Sequence, residues 1–171
     1  MEIRKSNTTD VNALLELFDE ARGTIAQLGI DQWQNGYPSL DVVVEDIELA
    51  RSYVVIIDGE LCGTFVLVED GEPTYDKIYD GSWKSGNDNE NYLAIHRVAV
   101  SVRMRGKGIS TAIINYAEAR ARDLGRESMR IDTHEGNAVM RRMLEKHGFE
   151  YCGVIYLEGG DPRVAYEKGL I

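Results

Sequence analysis

Cysteine is the scarcest feature of this 171-residue chain, with only Cys62 and Cys152, far apart and each inside a strand-like stretch. Two such residues exclude a disulfide-stapled framework and read most simply as reduced, buried thiols in a cytoplasmic protein. Histidine is also sparse, with three in all, and no two have metal-site spacing. His134-Glu135 has no second histidine three residues on, so no metal is expected. No apolar run approaches the roughly 20 residues of a membrane span. The N-terminal MEIRKSNTTD has no apolar signal core, so neither membrane nor secretion is expected. Positive charge is in deficit: 19 Lys and Arg against 29 Asp and Glu leave a net charge of −10. That balance disfavours nucleic acid as a partner. With 43% hydrophobic and 28% charged residues, the composition is that of one globular domain, residues 1–171, long enough to bury a sizeable core.

Against this acidic background one basic stretch stands out. Residues 93–111 read LAIHRVAVSVRMRGKGIST. They begin as an apolar run with strand chemistry and end in Arg103-Met-Arg105-Gly106-Lys107-Gly108, directly before a helical pattern. A strand that turns through a basic, glycine-containing loop into a helix start is suited to bind an anion. The first N–H groups of a helix lack intrahelical partners, and the helix dipole adds partial positive charge. The bland alternative is a basic surface turn. A Walker loop is excluded, because Lys107 is followed by Gly108 and no glycine lies five residues before Gly106. A GxGxxG dinucleotide fingerprint is also excluded, because Thr111 occupies its third glycine position. What remains is Arg103-x-x-Gly106-x-Gly108 after a strand, and here the chain resembles the GNAT family, the acetyl-coenzyme A-dependent N-acetyltransferases.

The rest of the chain supplies the context. Residues 1–5 can form a short edge strand. Thr8 or Thr9 can cap a helix with Val11, Leu14, Leu15, Phe18 and Ile25 on one face, ending near Gly29. Ser39 can cap a second helix reaching about Ala50. Residues 53–58 and 61–69 read as a hairpin around Asp58-Gly59-Glu60. Residues 69–91 form a connection well beyond the usual 12–15 residues or so. It reads as a lid, as a subunit contact in a homodimer, or most simply as a variable surface insertion, with Tyr75, Ile78, Tyr79 and Trp83 suggesting a short packed turn. A helix over 107–124, a strand over 127–133 and a helix over 139–147 follow, the last closed by Gly148-Phe149. Strands over 151–157 and 163–167 end the chain. Asn137 through Gly148-Phe149 matches a second motif of the family, in the correct order. The expected fold is therefore α/β and GNAT-like, β-α-α-β-β-β-α-β-α-β-β, with a mixed central sheet of about seven strands flanked by about four helices.

The resemblance implies acetyl-CoA as co-substrate and assigns roles by position. Backbone groups of Val98, Ala99 and Val100 would hold the pantetheine arm. The N–H groups from Arg105 to Ile109, through Gly106, Lys107 and Gly108, would bind pyrophosphate, with Ser110 and Thr111 at the helix start. Arg103 and Arg105 would add charge, and Asn137 would bind the pantetheine or a water beside it. The N–H of Val98 would polarise the thioester carbonyl. Trp33 and Tyr37, between the first two helices, are candidates for the acceptor wall or for pinning their loop to the core. An alkylamine with a pKa of roughly 10 must lose a proton before attack. His96 is the leading base, unless it merely packs against a helix; His134 and Glu135 compete with it. Many relatives place a tyrosine four residues before Gly-Phe; here that position is Leu144, leaving Tyr116, Tyr151, Tyr166 or water to protonate the thiolate. Neither cysteine sits in a reactive context, which favours direct transfer. The expected acceptor is a small amine, consistent with the negative net charge. A protein N-terminus or lysine, or a non-catalytic acyl-CoA sensor, are the alternatives.

Overall fold

The computed structural model describes residues 1–86 and 88–170; Asn87, within the 69–91 segment, and Ile171 lie outside them. Strand β1 (Glu2–Lys5) leads into a 3-10 turn, Thr8–Asp10, and helix α1 (Val11–Gln27). The cap lies on the 3-10 turn that leads into α1 and is Asn7 instead of Thr8 or Thr9: its side chain accepts from Thr9 N–H, and Asp10 accepts from Asn7 N–H at 2.8 Å. Asparagine caps as well as threonine or better, and the reciprocal bond from Asp10 makes the choice. Helix α2 (Leu40–Glu48) starts at Ser39, as its sequence suggests. Strands β2 (Ser52–Ile57) and β3 (Glu60–Val68) meet at Asp58 and Gly59, whose φ values of 50° and 80° are those of a type I′ hairpin turn.

Strand β4 (Tyr92–Val100), helix α3 (Ile109–Asp123), strand β5 (Ser128–Thr133), helix α4 (Ala138–Lys146) and strands β6 (Glu150–Tyr156) and β7 (Pro162–Gly169) complete the order. Helix α3 begins two residues later than the apolar pattern predicts. Gly106 and Gly108 have φ of 77° and 79°, a left-handed conformation that cannot continue a right-handed helix. The seven strands form a sheet in the order β1-β2-β3-β4-β5-β7-β6. β4 runs parallel to β5, while β1–β2, β2–β3, β5–β7 and β6–β7 are antiparallel. The expected mixed α/β fold with seven strands and four helices is the one observed. Among the described residues no helix is long and apolar enough to cross a membrane.

Two compact units divide the chain: residues 1–67 with 97–110, and residues 68–96 with 111–170. In the first, Leu14, Leu17 and Phe18 form one helical face and are buried with Val43, Val54 and Ala99. Full burial of each large side chain contributes about 1.5–3 kcal/mol. In the second, Leu93, Ile95, Met129, Ile131 and Tyr166 on the strands and Ile113 and Ala117 on α3 are buried. Cys62 and Cys152 are buried and free. Burial pushes the Cys152 thiol up to about 11, so it remains a thiol at neutral pH.

The 69–91 segment is not a loose insertion. It contains a 3-10 turn, Pro73–Tyr75, whose Tyr75 is completely buried. Further along, Tyr79 exchanges two 2.8 Å backbone hydrogen bonds with Val154 on β6. Backbone packing there is so close that a Cβ on Gly81 would lie 1.9 Å from the Cys152 carbonyl oxygen. The segment is a strap across the second unit, and it covers part of the outer edge of β6.

Candidate active site

In the first unit the site is organised by the end of β4. The parallel ladder between β4 and β5 pairs Tyr92, Leu93 and Ala94 with Ser128, Met129 and Arg130; β4 itself continues to Val100. At Arg97 the backbone turns to φ 49°, a left-handed value uncommon for a residue with a side chain and costing about 1–3 kcal/mol. The surroundings enforce it. Arg97 donates to both oxygens of Asp46, from Nε at 2.6 Å and Nη2 at 2.7 Å, and its Nη1 donates to the Tyr37 hydroxyl at 2.6 Å. Asp46, buried on α2, also accepts from Arg51 Nε at 2.8 Å. Burial alone would lower the Arg97 pKa, but Asp46 and Tyr37 outweigh it and the guanidinium stays charged.

Beyond this bend, Val98 and Val100 are half-buried and Ala99 is buried. A short 3-10 turn, Val102–Met104, follows, with Met104 N–H bonded to Ser101 O at 3.0 Å. A Cβ on Gly106 or Gly108 would meet nothing within 4 Å, so the backbone angle and not crowding calls for glycine there. Among the described residues, the N–H groups of Gly106, Lys107 and Gly108 meet no acceptor. Arg103, Arg105 and Lys107 are exposed, Arg103 lying 3.6 Å from Glu60. Ile109 is buried; a Cβ on Gly63 would lie 3.0 Å from it, so the helix start sits close on β3. Exposed backbone at Gly106, Lys107 and Gly108, full positive charges and a helix N-terminus together form a surface that can hold a phosphate.

Trp33 and Tyr37 are both half-buried. Trp33 meets Phe18 edge-on at 5.8 Å and Tyr37 at 6.3 Å, while Arg22 donates to the Tyr37 carbonyl at 3.1 Å. Both aromatics pin their loop to the core, and Tyr37 additionally supports Arg97.

In the second unit, His96 lies under the strap. Its Nε2 is 3.8 Å from the Glu72 carboxylate, and its ring is 5.8 Å from that of Tyr75. Tyr75 donates to Asp132 at 2.7 Å; burial first, then the Asp132 charge, raises its pKa well above the usual phenol value. Below it the buried Arg130 is sandwiched between Trp83 at 4.3 Å and Tyr92 at 4.1 Å and donates to Glu167 at 2.7 Å. Glu167 also accepts from the Ser85 and Ser128 hydroxyls and from the backbone N–H groups of Lys84 and Ser85.

The other candidates in this unit hold local structure. His134 Nδ1 accepts from Gly136 N–H at 2.9 Å, and the Glu135 carbonyl accepts from Arg141 at 2.9 Å. Asn137 caps α4 by accepting from Met140 N–H at 3.2 Å. Thr111 is bonded to His147 Nε2 at 3.0 Å. Leu144 is fully buried. Of the tyrosines that could take the missing role, Tyr166 has its hydroxyl fixed by Arg141 Nε at 2.9 Å, while Tyr151 is exposed. No group of three His, Cys, Asp or Glu among the described residues could hold a metal ion.

The residues that sequence reasoning misses are the charged groups turned inward: Asp46, Arg97, Arg130 and Glu167. Asp46 follows Val43 by three on the apolar stripe of α2, and Arg130 lies between Met129 and Ile131. A charge on a buried face was the signal available.

Comparison with known proteins now bears on this geometry. A sequence model of the acetyltransferase (GNAT) family matches residues 12–149. A GNAT-family acetyltransferase structure from Streptococcus agalactiae is 34% identical, covers 99% of this chain and 95% of its own, and superposes with a TM-score of 0.88. One from Listeria monocytogenes shares the fold at 22% identity, with 99% and 94% covered and a TM-score of 0.71. A proposed acetyltransferase from Salmonella typhimurium, solved with its cofactor acetyl-CoA, is 18% identical, with 100% and 94% covered and a TM-score of 0.69. Among curated proteins the sequence finds no match.

Proposed function

This chain belongs to the acetyltransferase (GNAT) family, and from that premise we propose that it transfers the acetyl group of acetyl-CoA directly to the amine of a small-molecule acceptor. The pantetheine arm runs along Val98, Ala99 and Val100. The pyrophosphate is held by N–H groups from Arg105 through Gly106, Lys107 and Gly108 to Ile109, beside Ser110 and Thr111. Arg103, Arg105 and Lys107 contribute exposed charges worth about 0.3–1 kcal/mol each, so the backbone groups matter more. Asn137 contributes on the pantetheine side. Val98 N–H stabilises the oxyanion as the acceptor nitrogen attacks the thioester carbonyl.

His96 takes a proton from the acceptor ammonium, breaking its N–H bond and forming one on the imidazole. The neutral amine forms the C–N bond, the C–S bond breaks, and the nitrogen sheds its remaining excess proton as the thiolate is protonated. His134 and Glu135 are the alternative bases. Tyr116, Tyr151, Tyr166 or water protonates the thiolate, whose ordinary pKa of about 8.5 makes a dedicated acid helpful but not essential. Trp33 and Tyr37 contribute to the acceptor wall.

The observation that carries the small-acceptor reading is the strap. Tyr75 packs against Tyr92 and His96 on β4, with Trp83 against its ring, and a strap seated on this part of the strand favours a small acceptor over an extended polypeptide. Thiol release from acetyl-CoA, screened against polyamines, amino acids, aminoglycosides and N-terminal peptides, tests the reading. Turnover with one small-amine class is expected. Turnover with peptides alone would replace it by protein acetylation, and coenzyme binding without turnover on any amine would favour a sensor.

A further inference from the structure

We propose that Glu72, delivered by the 69–91 strap, is a positioning residue for acetyl transfer, its carboxylate stabilising the protonated form of the His96 imidazole from an ion-pair distance longer than a hydrogen bond. The inference rests on the reading of His96 as base. Four contacts fix the arrangement. Glu72 Oε2 lies 3.8 Å from His96 Nε2, and its other oxygen accepts from the Thr74 hydroxyl at 2.9 Å. The Glu72 backbone N–H donates to the Tyr92 hydroxyl at 2.7 Å, tying the strap to the strand that carries His96. The Tyr75 ring, locked by its bond to Asp132, lies 5.8 Å from the imidazole. Ionisable groups near His96 in this unit include Glu72 and Tyr75 from the strap, Tyr92 on β4, and Asp132 on β5 through Tyr75. Both partners are mostly shielded, their side chains 15% and 23% exposed, so screening by water is reduced.

The chemistry follows from the charges. When the acceptor ammonium gives its proton to His96, a neutral imidazole becomes a cation facing a carboxylate held in place beforehand. An opposite charge at this separation favours the charged form. The imidazolium later returns the proton to water, so no further reactant is needed. The strap thereby has a task beyond covering the sheet: it supplies the carboxylate that makes His96 a better proton acceptor.

The test uses Glu72→Gln, which keeps the shape and the Thr74 contact, together with Glu72→Asp, His96→Gln and the Glu72→Gln/His96→Gln double variant. Assays use the amine that supports turnover in the screen. Glu72→Gln is expected to lower kcat about 10- to 100-fold, below or within the roughly 10²–10⁴ contributed by a base, with KM for acetyl-CoA unchanged. Glu72→Asp should recover part of the loss, and the double variant should be no slower than His96→Gln alone. Independently of any acceptor, NMR titration of the three histidines should show the His96 midpoint falling in Glu72→Gln. An unchanged midpoint, or additive losses in the double variant, would overturn the pairing. Unimpaired Glu72→Gln beside impaired His96→Gln would overturn the proposal alone; unimpaired His96→Gln would remove the base reading beneath it.

Discussion

Replacing Asp46 with alanine is expected to destabilise the protein by about 3–5 kcal/mol, the cost of stranding a buried charge. Asp46 is 3% exposed and is the carboxylate shared by Arg97 and Arg51. Without it the Arg97 guanidinium keeps only its bond to Tyr37 among the contacts described above. The left-handed backbone at Arg97 loses the ion pair that holds it. For a chain of this size the loss corresponds to a fall in Tm of roughly 6–20 °C. Urea unfolding should show the midpoint shifted with the slope unchanged. Asp46→Asn retains one oxygen acceptor and should cost less. A loss below about 1 kcal/mol for Asp46→Ala, as at an exposed pair, would mean that the bend in β4 does not depend on this carboxylate.

The second large effect is expected where the strap is anchored. Arg130 and Glu167 are 0% and 1% exposed and bonded at 2.7 Å. Removing either partner alone should cost about 3–5 kcal/mol, whereas replacing both by apolar residues of similar volume should be much nearer neutral. The measurement is native-state proteolysis within 69–91, alongside chemical unfolding of the same variants. Glu167→Ala should expose the strap to trypsin at Lys77 and Lys84 before the rest of the chain unfolds. The anchor also has a pH signature. Burial alone would raise the Glu167 pKa, but hydrogen bonds from Ser85 and Arg130, the Arg130 charge and the Ser128 hydroxyl outweigh it, and the pKa is lowered. A depressed carboxylate contributes stability above its unfolded value of about 4.3. That contribution fades as pH falls through the folded value. Strap protection should therefore hold from neutrality to about pH 4 and be lost in stronger acid. Release already near pH 6 would contradict the anchor as described.

How much of this was legible in the chain depends on which force places each residue. Elements set by local pattern were readable: the Leu14 and Phe18 face of α1, although Leu17 is buried there where the pattern had placed Leu15, the Asp58-Gly59 hairpin, and the strand-loop-helix passage into Ile109. Their signals lie within a few residues of one another. The loop glycines were readable because positive φ excludes most side chains. The strap was not. Its attachments join Tyr75 to Asp132, Tyr79 to Val154 and Ser85 to Glu167. Local periodicity carries no information about partners so distant, and a polar composition looks the same in a loose loop and a pinned one. Arg97 is a comparable case: between His96 and Val98 it reads as an ordinary strand position, while its role depends on Asp46 and Tyr37. Leu144 was readable as a departure from the family pattern, because an aliphatic side chain has no proton to give.

The most direct test of the central claim is an acetyl-CoA titration followed by amide NMR on the wild-type protein and on Gly106→Val. The account predicts saturable binding, with the largest shifts at Gly106, Lys107, Gly108, Ile109 and Ser110 and along Val98 to Val100. It also predicts affinity lost at least about tenfold in Gly106→Val, because a β-branched residue is strained at φ 77°. Absence of saturable binding, or shifts confined to other parts of the chain, would contradict it.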